Sequence, residues 1–186
     1  MKSPVFLKKI VWVCFFWLMG CQSSQHLSHF SVSMSPHFQE YNLQRIFFLP
    51  MEGNQNTFSS TLQDSLAKNK AWEVVYFPLP QSCPISPYNI PSSSLSYIAQ
   101  KYHVQAVALG KVSHFSLTPM KISLRFFLVS VYDGKILYSI DGTWEDQSIY
   151  SLEYEKIERS MASLSVEKFF SEVCRQIMEQ FKNGSG

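Results

Sequence analysis

The 186-residue sequence is poor in the patterns that announce chemistry. It has no GxSxG, HExxH, Walker loop or GxGxxG, so nothing local supports a nucleophile elbow, a zinc-protease helix or a phosphate-cradling loop. With four cysteines and no CxxC, neither a redox motif nor a zinc ribbon is supported. A membrane-spanning helix needs roughly 20 apolar residues to cross about 30 Å of hydrocarbon. The uncharged N-terminal run, Ile10 to Leu18, has nine.

That short run sits in a recognisable context. Lys2, Lys8 and Lys9 precede it with no acidic residue near them, and Leu18-Met19-Gly20-Cys21 ends it ahead of the polar Gln22-Ser23-Ser24-Gln25. A positive segment, a short apolar segment and a small residue at the cut form an export signal. Leu18-Met19-Gly20-Cys21 resembles the lipobox of bacterial lipoproteins, although Met19 is bulkier than the usual Ala or Ser. The resemblance implies cleavage between Gly20 and Cys21, a diacylglycerol on the Cys21 thiol and an acylated new amino terminus, with palmitate-type chains. One chain binds a membrane only marginally at about 0.8 kcal/mol per buried CH₂, so several chains make a durable anchor. Gln22, in place of the Asp that retains enterobacterial lipoproteins in the inner membrane, implies an outer-membrane location. The alternatives are an uncleaved anchor or ordinary secretion.

Removing residues 1–20 leaves one domain's worth of chain. The signal takes three of the 16 Lys+Arg and none of the 14 Asp+Glu, so the net charge falls from +2 to −1. No basic stripe remains to argue for nucleic acid. Cys83 and Cys174 survive into a compartment where disulfides persist, and they could pair. Against pairing, Cys174 falls on the apolar stripe of an expected helix, where a free cysteine acts as a small hydrophobe.

Residues 21–44, rich in Ser, Gln and His, read as a flexible tether between lipid and domain. Such a tether could span at most about 80 Å. His26, His29 and His37 are too loosely spaced, and too short of Cys or carboxylate companions, to suggest a metal. The folded domain is expected over 45–186. Ile46 to Leu49 form a buried strand ended by Pro50. A helix follows from about Ser59 to Lys70, with Ser60 and Gln63 as a capping box and Phe58, Leu62 and Leu66 on one face. Trp72 to Phe77 is a second strand. Five prolines then mark residues 78–91 as an irregular surface loop, a reasonable place for partner contact or a passive connection.

A short helix over Ser92 to Tyr102 should bury Leu95 and Ile98. Three strands follow: Val104 to Phe115, Lys121 to Tyr132 in a central position, and Lys135 to Trp144. Asp133-Gly134 suits a two-residue type I′ turn between the last two. A less regular helix is expected over about Ser151 to Ala162. The stripe Val166, Phe169, Phe170, Val173, Cys174, Ile177, Met178 and Phe181 then predicts an amphipathic C-terminal helix docked on the sheet.

This order of elements, with Arg45-Ile-Phe-Phe-Leu-Pro50, the segment Tyr97 to Val112 and the hairpin Phe127 to Tyr138, resembles a group of envelope domains. The group comprises the curli secretion lipoprotein family, penicillin-binding-protein activator lipoproteins and the N-terminal domain of TolB. The resemblance covers residues 45–182 through packing and turn motifs, so it speaks to fold more than to function. It implies an α/β fold: a small mixed sheet of about five strands with helices packed on it.

The functional expectation is a non-enzymatic lipoprotein of the bacterial envelope, facing the periplasm. It needs no cofactor, touches the membrane through acyl chains on Cys21 and binds an unidentified envelope protein. Regulation of cell-wall synthesis, or assembly or secretion of a surface structure, would suit it. Two rivals stand beside it. One is a hydrolase with an unrecognised site, in which His114 with Asp133 or Asp141 and a serine would have to meet in space. The other is a surface-displayed interaction protein.

Overall fold

The computed structural model describes residues 26–53, 55–68, 72–81, 83–146 and 159–183. In chain order these form β1 (His26–Met34), a 3-10 turn (Phe38–Tyr41), β2 (Arg45–Phe48), α1 (Asn56–Lys68) and β3 (Glu73–Val75). Then come α2 (Ser92–Tyr102), β4 (Ala106–Leu117), β5 (Met120–Ser130), β6 (Ile136–Asp146) and α3 (Arg159–Asn183). The strands build one mixed sheet in the order β1-β6-β5-β4-β2-β3. β2 runs parallel to β3 and β4, and all other neighbours are antiparallel. The α/β class is as expected, with six strands rather than about five.

The topology follows from two crossovers. From β2 the chain steps outward through α1 to β3, then back over β2 through α2 to β4. Crossovers of one hand that step in opposite directions place their helices on opposite faces of the sheet. On one face, Phe58, Leu62 and Leu66 of α1 and the Phe169, Phe170, Val173, Ile177 and Phe181 stripe of α3 bury Ile46, Phe48, Ile122, Leu124, Phe126 and Trp144. The Trp144 indole donates to Gln176 Oε1 at 3.0 Å, tying α3 to β6. On the other face, Leu95 and Ile98 of α2 bury Phe47, Val107, Leu109 and Val129. Alternation along β2, β4 and β5 feeds both clusters, which explains why these strands are apolar on both sides. Gly110 permits a close approach: a Cβ there would meet Arg125 O at 2.4 Å and Met51 Sδ at 2.8 Å.

Several expectations change. Residues 26–44 are not a tether, because His26–Met34 pairs along all nine residues with β6. Phe30, Val32 and Met34 alternate with Ser31 and Ser33, and Phe30 and Met34 pack against the main core. This period-2 signal hides in a Ser- and His-rich composition. α1 starts at Asn56, so Ser60 lies inside the helix, donating to Thr57 O at 2.9 Å, and caps nothing. The hairpin after β5 is no two-residue type I′ turn. Among the described residues only Gly134 of that loop has positive φ (+70°), and its N–H donates to Ser130 O across a five-residue connection. The C-terminal stripe lies on one continuous helix from Arg159, and residues 151–158 of the expected preceding segment fall outside the described residues.

Candidate partner-binding surface

Gly20 and Cys21 lie outside the described residues; what the fold contributes is their distance from it. The first strand begins at His26, five residues past Cys21. Cys83 and Cys174 are both free and buried, and they belong to different core clusters on opposite faces of the sheet. A bridge between them does not form. Burial pushes the Cys174 thiol up to about 12, against a lesser opposing hydrogen bond with Ser65. That is the state of a structural, unreactive cysteine.

The proline-rich stretch is held firmly at its base and open at its tip. Leu79, Ile85 and Ile90 pack against the α2-side core, and Cys83 is buried there. Ser94, in the first turn of α2, donates its hydroxyl to Pro84 O at 3.3 Å, and Cys83 Sγ lies 3.8 Å from Ser94 O. Ser86 and Asn89 exchange both backbone hydrogen bonds, 2.9 and 3.1 Å, closing a tight turn over Pro87 and Tyr88. Pro87 fixes its own φ and presets the turn. Tyr88 therefore stands at the apex, 70% exposed, with Lys111 Nζ 5.1 Å from its ring centre.

Tyr76 and Phe77, expected inside a strand, lie just past the end of β3 and are about half exposed. Phe77 stacks on Tyr102 at 5.4 Å, and Lys101 sits over both Tyr97 and Tyr102. Tyr76, Phe77 and Tyr88 are thus the exposed aromatics of residues 76–91, a rim in which Phe77 is stacked on Tyr102 and Tyr88 stands over Lys111. Aromatic side chains have few torsions and offer contact area at low entropic cost.

A second surface was not legible as such. Cross-strand register aligns polar rows over β4, β5, β6 and β1. One row is His114, Ser123, Thr143 and His29; the next is Lys111, Arg125, Asp141 and Ser31. Ser123 Oγ and Thr143 Oγ1 are 2.8 Å apart, Arg125 pairs with Asp141, and Lys121 Nζ lies 3.3 Å from Glu145. This ladder answers where the residues of the hydrolase reading lie. Asp141 is engaged by Arg125, and β5 separates it from His114, roughly 10 Å across the sheet. Asp133 lies past the opposite end of β5, bound by the Tyr41 hydroxyl at 2.8 Å and by Lys135 Nζ at 3.1 Å. Hydrogen bonds, from Ser130 first and then Tyr41 and Lys135, hold its carboxyl well below the usual range. Neither aspartate stands beside His114.

Beside Asp133, Ser35, His37, Glu40, Tyr41 and Lys135 line an open depression of about 430 Å³. His37 Nδ1 is 2.8 Å from Glu40 Oε1, His29 lies on β1, and no group of three metal-ligating side chains occurs among the described residues.

No family model and no curated relative matches the chain. Solved structures do. The hypothetical protein CT253 of Chlamydia trachomatis superposes with a TM-score of 0.55 at 12% identity, over 75% of this chain and 96% of that one. A PelC dodecamer from Paraburkholderia phytofirmans gives 0.49 at 13% identity, over 78% and 96%. Lipoprotein GNA1162 of Neisseria meningitidis gives 0.43 at 17% identity, over 72% and 96%. At these identities the likeness establishes the fold alone.

Proposed function

We propose that this chain is a lipid-anchored, non-enzymatic protein of the bacterial envelope that holds another envelope component through the aromatic rim of residues 76–91. The anchor is a set of acyl chains on Cys21, most compatible with an outer-membrane protein facing the periplasm. The partner belongs to cell-wall synthesis or to the assembly or secretion of a surface structure. The observation that carries the reading is the display of Tyr88: a turn closed by two backbone hydrogen bonds, pinned beneath by Ser94, with the ring held out to solvent. A passive connection gains nothing from such a device, since burying the ring would be worth about 1.5–3 kcal/mol.

The test uses two tyrosines of equal exposure. Tyr88 and Tyr132 are each 70% exposed, one on the rim and one in the β5–β6 loop. A photoactivatable residue at either position, in the full chain in native cells, should give a discrete protein adduct from position 88 and none from 132. Identical patterns from both positions would remove the rim as the binding surface.

A further inference from the structure

One register row decides which end of the domain faces the anchor. His26 pairs with Asp146, Asp146 with Met120, and Met120 with Leu117. The first residue of β1 and the β4–β5 turn therefore lie at the same end of the sheet. Between Cys21 and His26 the chain can extend by at most about 17 Å. The opposite end, where Met34 pairs with Tyr138, is eight residues along β1, about 26 Å further away.

The turn at the near end is closed by the Ser116 hydroxyl donating to Pro119 O at 2.7 Å, and the Leu117 side chain on it is 51% exposed. The nearest charges on the next row, Lys121 and Glu145, neutralise each other. Among the described residues this end thus presents one exposed apolar side chain, Leu117, on a row that also carries Asp146 at its β6 position.

We propose that the β4–β5 turn rests on the phospholipid bilayer, with Leu117 in the headgroup–acyl boundary as a second contact beside the acyl chains. The inference rests on the lipid anchor of the proposed function. A short leash confines the turn to the surface, so even the modest free energy of one leucine acts intramolecularly. The contact is apolar and does not require anionic lipid. It also orients the molecule: the sheet stands on its β4–β5 end, with the β5–β6 loop pointing away.

The test exploits a matched pair. Leu117 and Ile136 are 51% and 52% exposed and lie towards opposite ends of the sheet, and both native cysteines past Cys21 are buried. The full acylated chain is made as Leu117→Cys or Ile136→Cys, labelled with an environment-sensitive fluorophore and reconstituted in phosphatidylcholine vesicles containing quencher-bearing lipid. The label at position 117 should lose most of its emission and shift to the blue, while the label at 136 keeps its emission. If both chains float with the vesicles but quench equally, or neither quenches, the orientation is wrong and the anchor stands. If neither floats, the lipid anchor itself fails, and this proposal with it.

Discussion

Gly142→Ala should loosen β1 from the sheet. An added Cβ would fall 2.4 Å from Phe30 Cβ, 3.0 Å from Phe30 Cα and 2.9 Å from Trp144 Cη2. Two of these atoms belong to or adjoin the β1 backbone, so no side-chain rotation relieves the clash and the strand must move. Moving it separates Phe30 from Trp144, whose rings stack at 5.7 Å and 14°. Full burial of a phenylalanine is worth about 1.5–3 kcal/mol, so the half-buried Phe30 contributes roughly half of that. The ring pair adds about 0.5–1.5 kcal/mol. Alanine would otherwise be favoured over glycine in a strand by about 0.5–1 kcal/mol. The net loss is about 1.4 kcal/mol, or a fall in Tm of about 3–6 °C for a domain of this size. Thermal melting measures the loss, and amide exchange locates it: protection at Phe30 and Val32 should drop while that of β5 persists. An unchanged Tm, or a lower Tm with β1 protection intact, would refute the docking of β1 over Gly142.

The other expectations are read more simply. Cys21→Ser should release the chain from membranes without changing its melting temperature; a mature-sized variant that still pellets with membranes rules out the anchor. Tyr138 keeps its hydroxyl buried with no hydrogen-bond partner, so Tyr138→Phe should be neutral to stabilising by about 1 kcal/mol, and a clear loss in urea unfolding would reveal a missed partner. Native protein at neutral pH should resist alkylation at Cys83 and Cys174 until denatured. Because burial raises the folded-state pKa of Cys174 to about 12 from 9.0, its contribution to stability is complete below pH 9. It is lost as pH climbs from 9 towards 12, where the unfolded chain releases the proton first. A Cys174→Ala variant should show a shallower alkaline decline.

The core was legible because burial writes a period into sequence. The stripe from Val166 to Phe181 and the triplet Phe58, Leu62 and Leu66 meet in one cluster, and β5 is as central as its two apolar faces require. What escaped was decided by partners far along the chain. β1 exists because β6 offers it nine residues of backbone pairing and a glycine to lie over, neither of which is visible in a segment of serines and histidines. The β5–β6 connection looked like a two-residue turn because Asp-Gly is a strong local signal. Val131 N–H instead donates to Gln105 O, and Asp133 is drawn to Tyr41, which opens the loop. The proline-rich segment was recognised by composition, but the display of Tyr88 depends on Ser94 and Pro84 meeting across ten residues.

Starting the domain at His26 instead of Arg45 changes what the anchor can do. A 24-residue tether would let a binding surface search through about 80 Å; five residues allow about 17 Å. Tyr88 lies over Lys111, and the row of Lys111 meets β1 at Ser31, five residues and about 17 Å above His26. With three strand spacings of about 4.8 Å between β1 and β4 added, the rim is on the order of 40 Å from Cys21 at full extension. A partner fixed in the same membrane meets it at high effective concentration, whereas one across a wider gap would not be reached. Inserting a 20-residue Gly/Ser segment between Gln25 and His26 separates these cases. Lengthening the leash from five to 25 residues lowers effective concentration roughly tenfold by the three-halves power of length. For a partner held in the same membrane, the adduct from position 88 should fall by a comparable factor while the chain stays anchored and folded. An undiminished adduct would mean that the partner diffuses freely and the short leash is immaterial to binding.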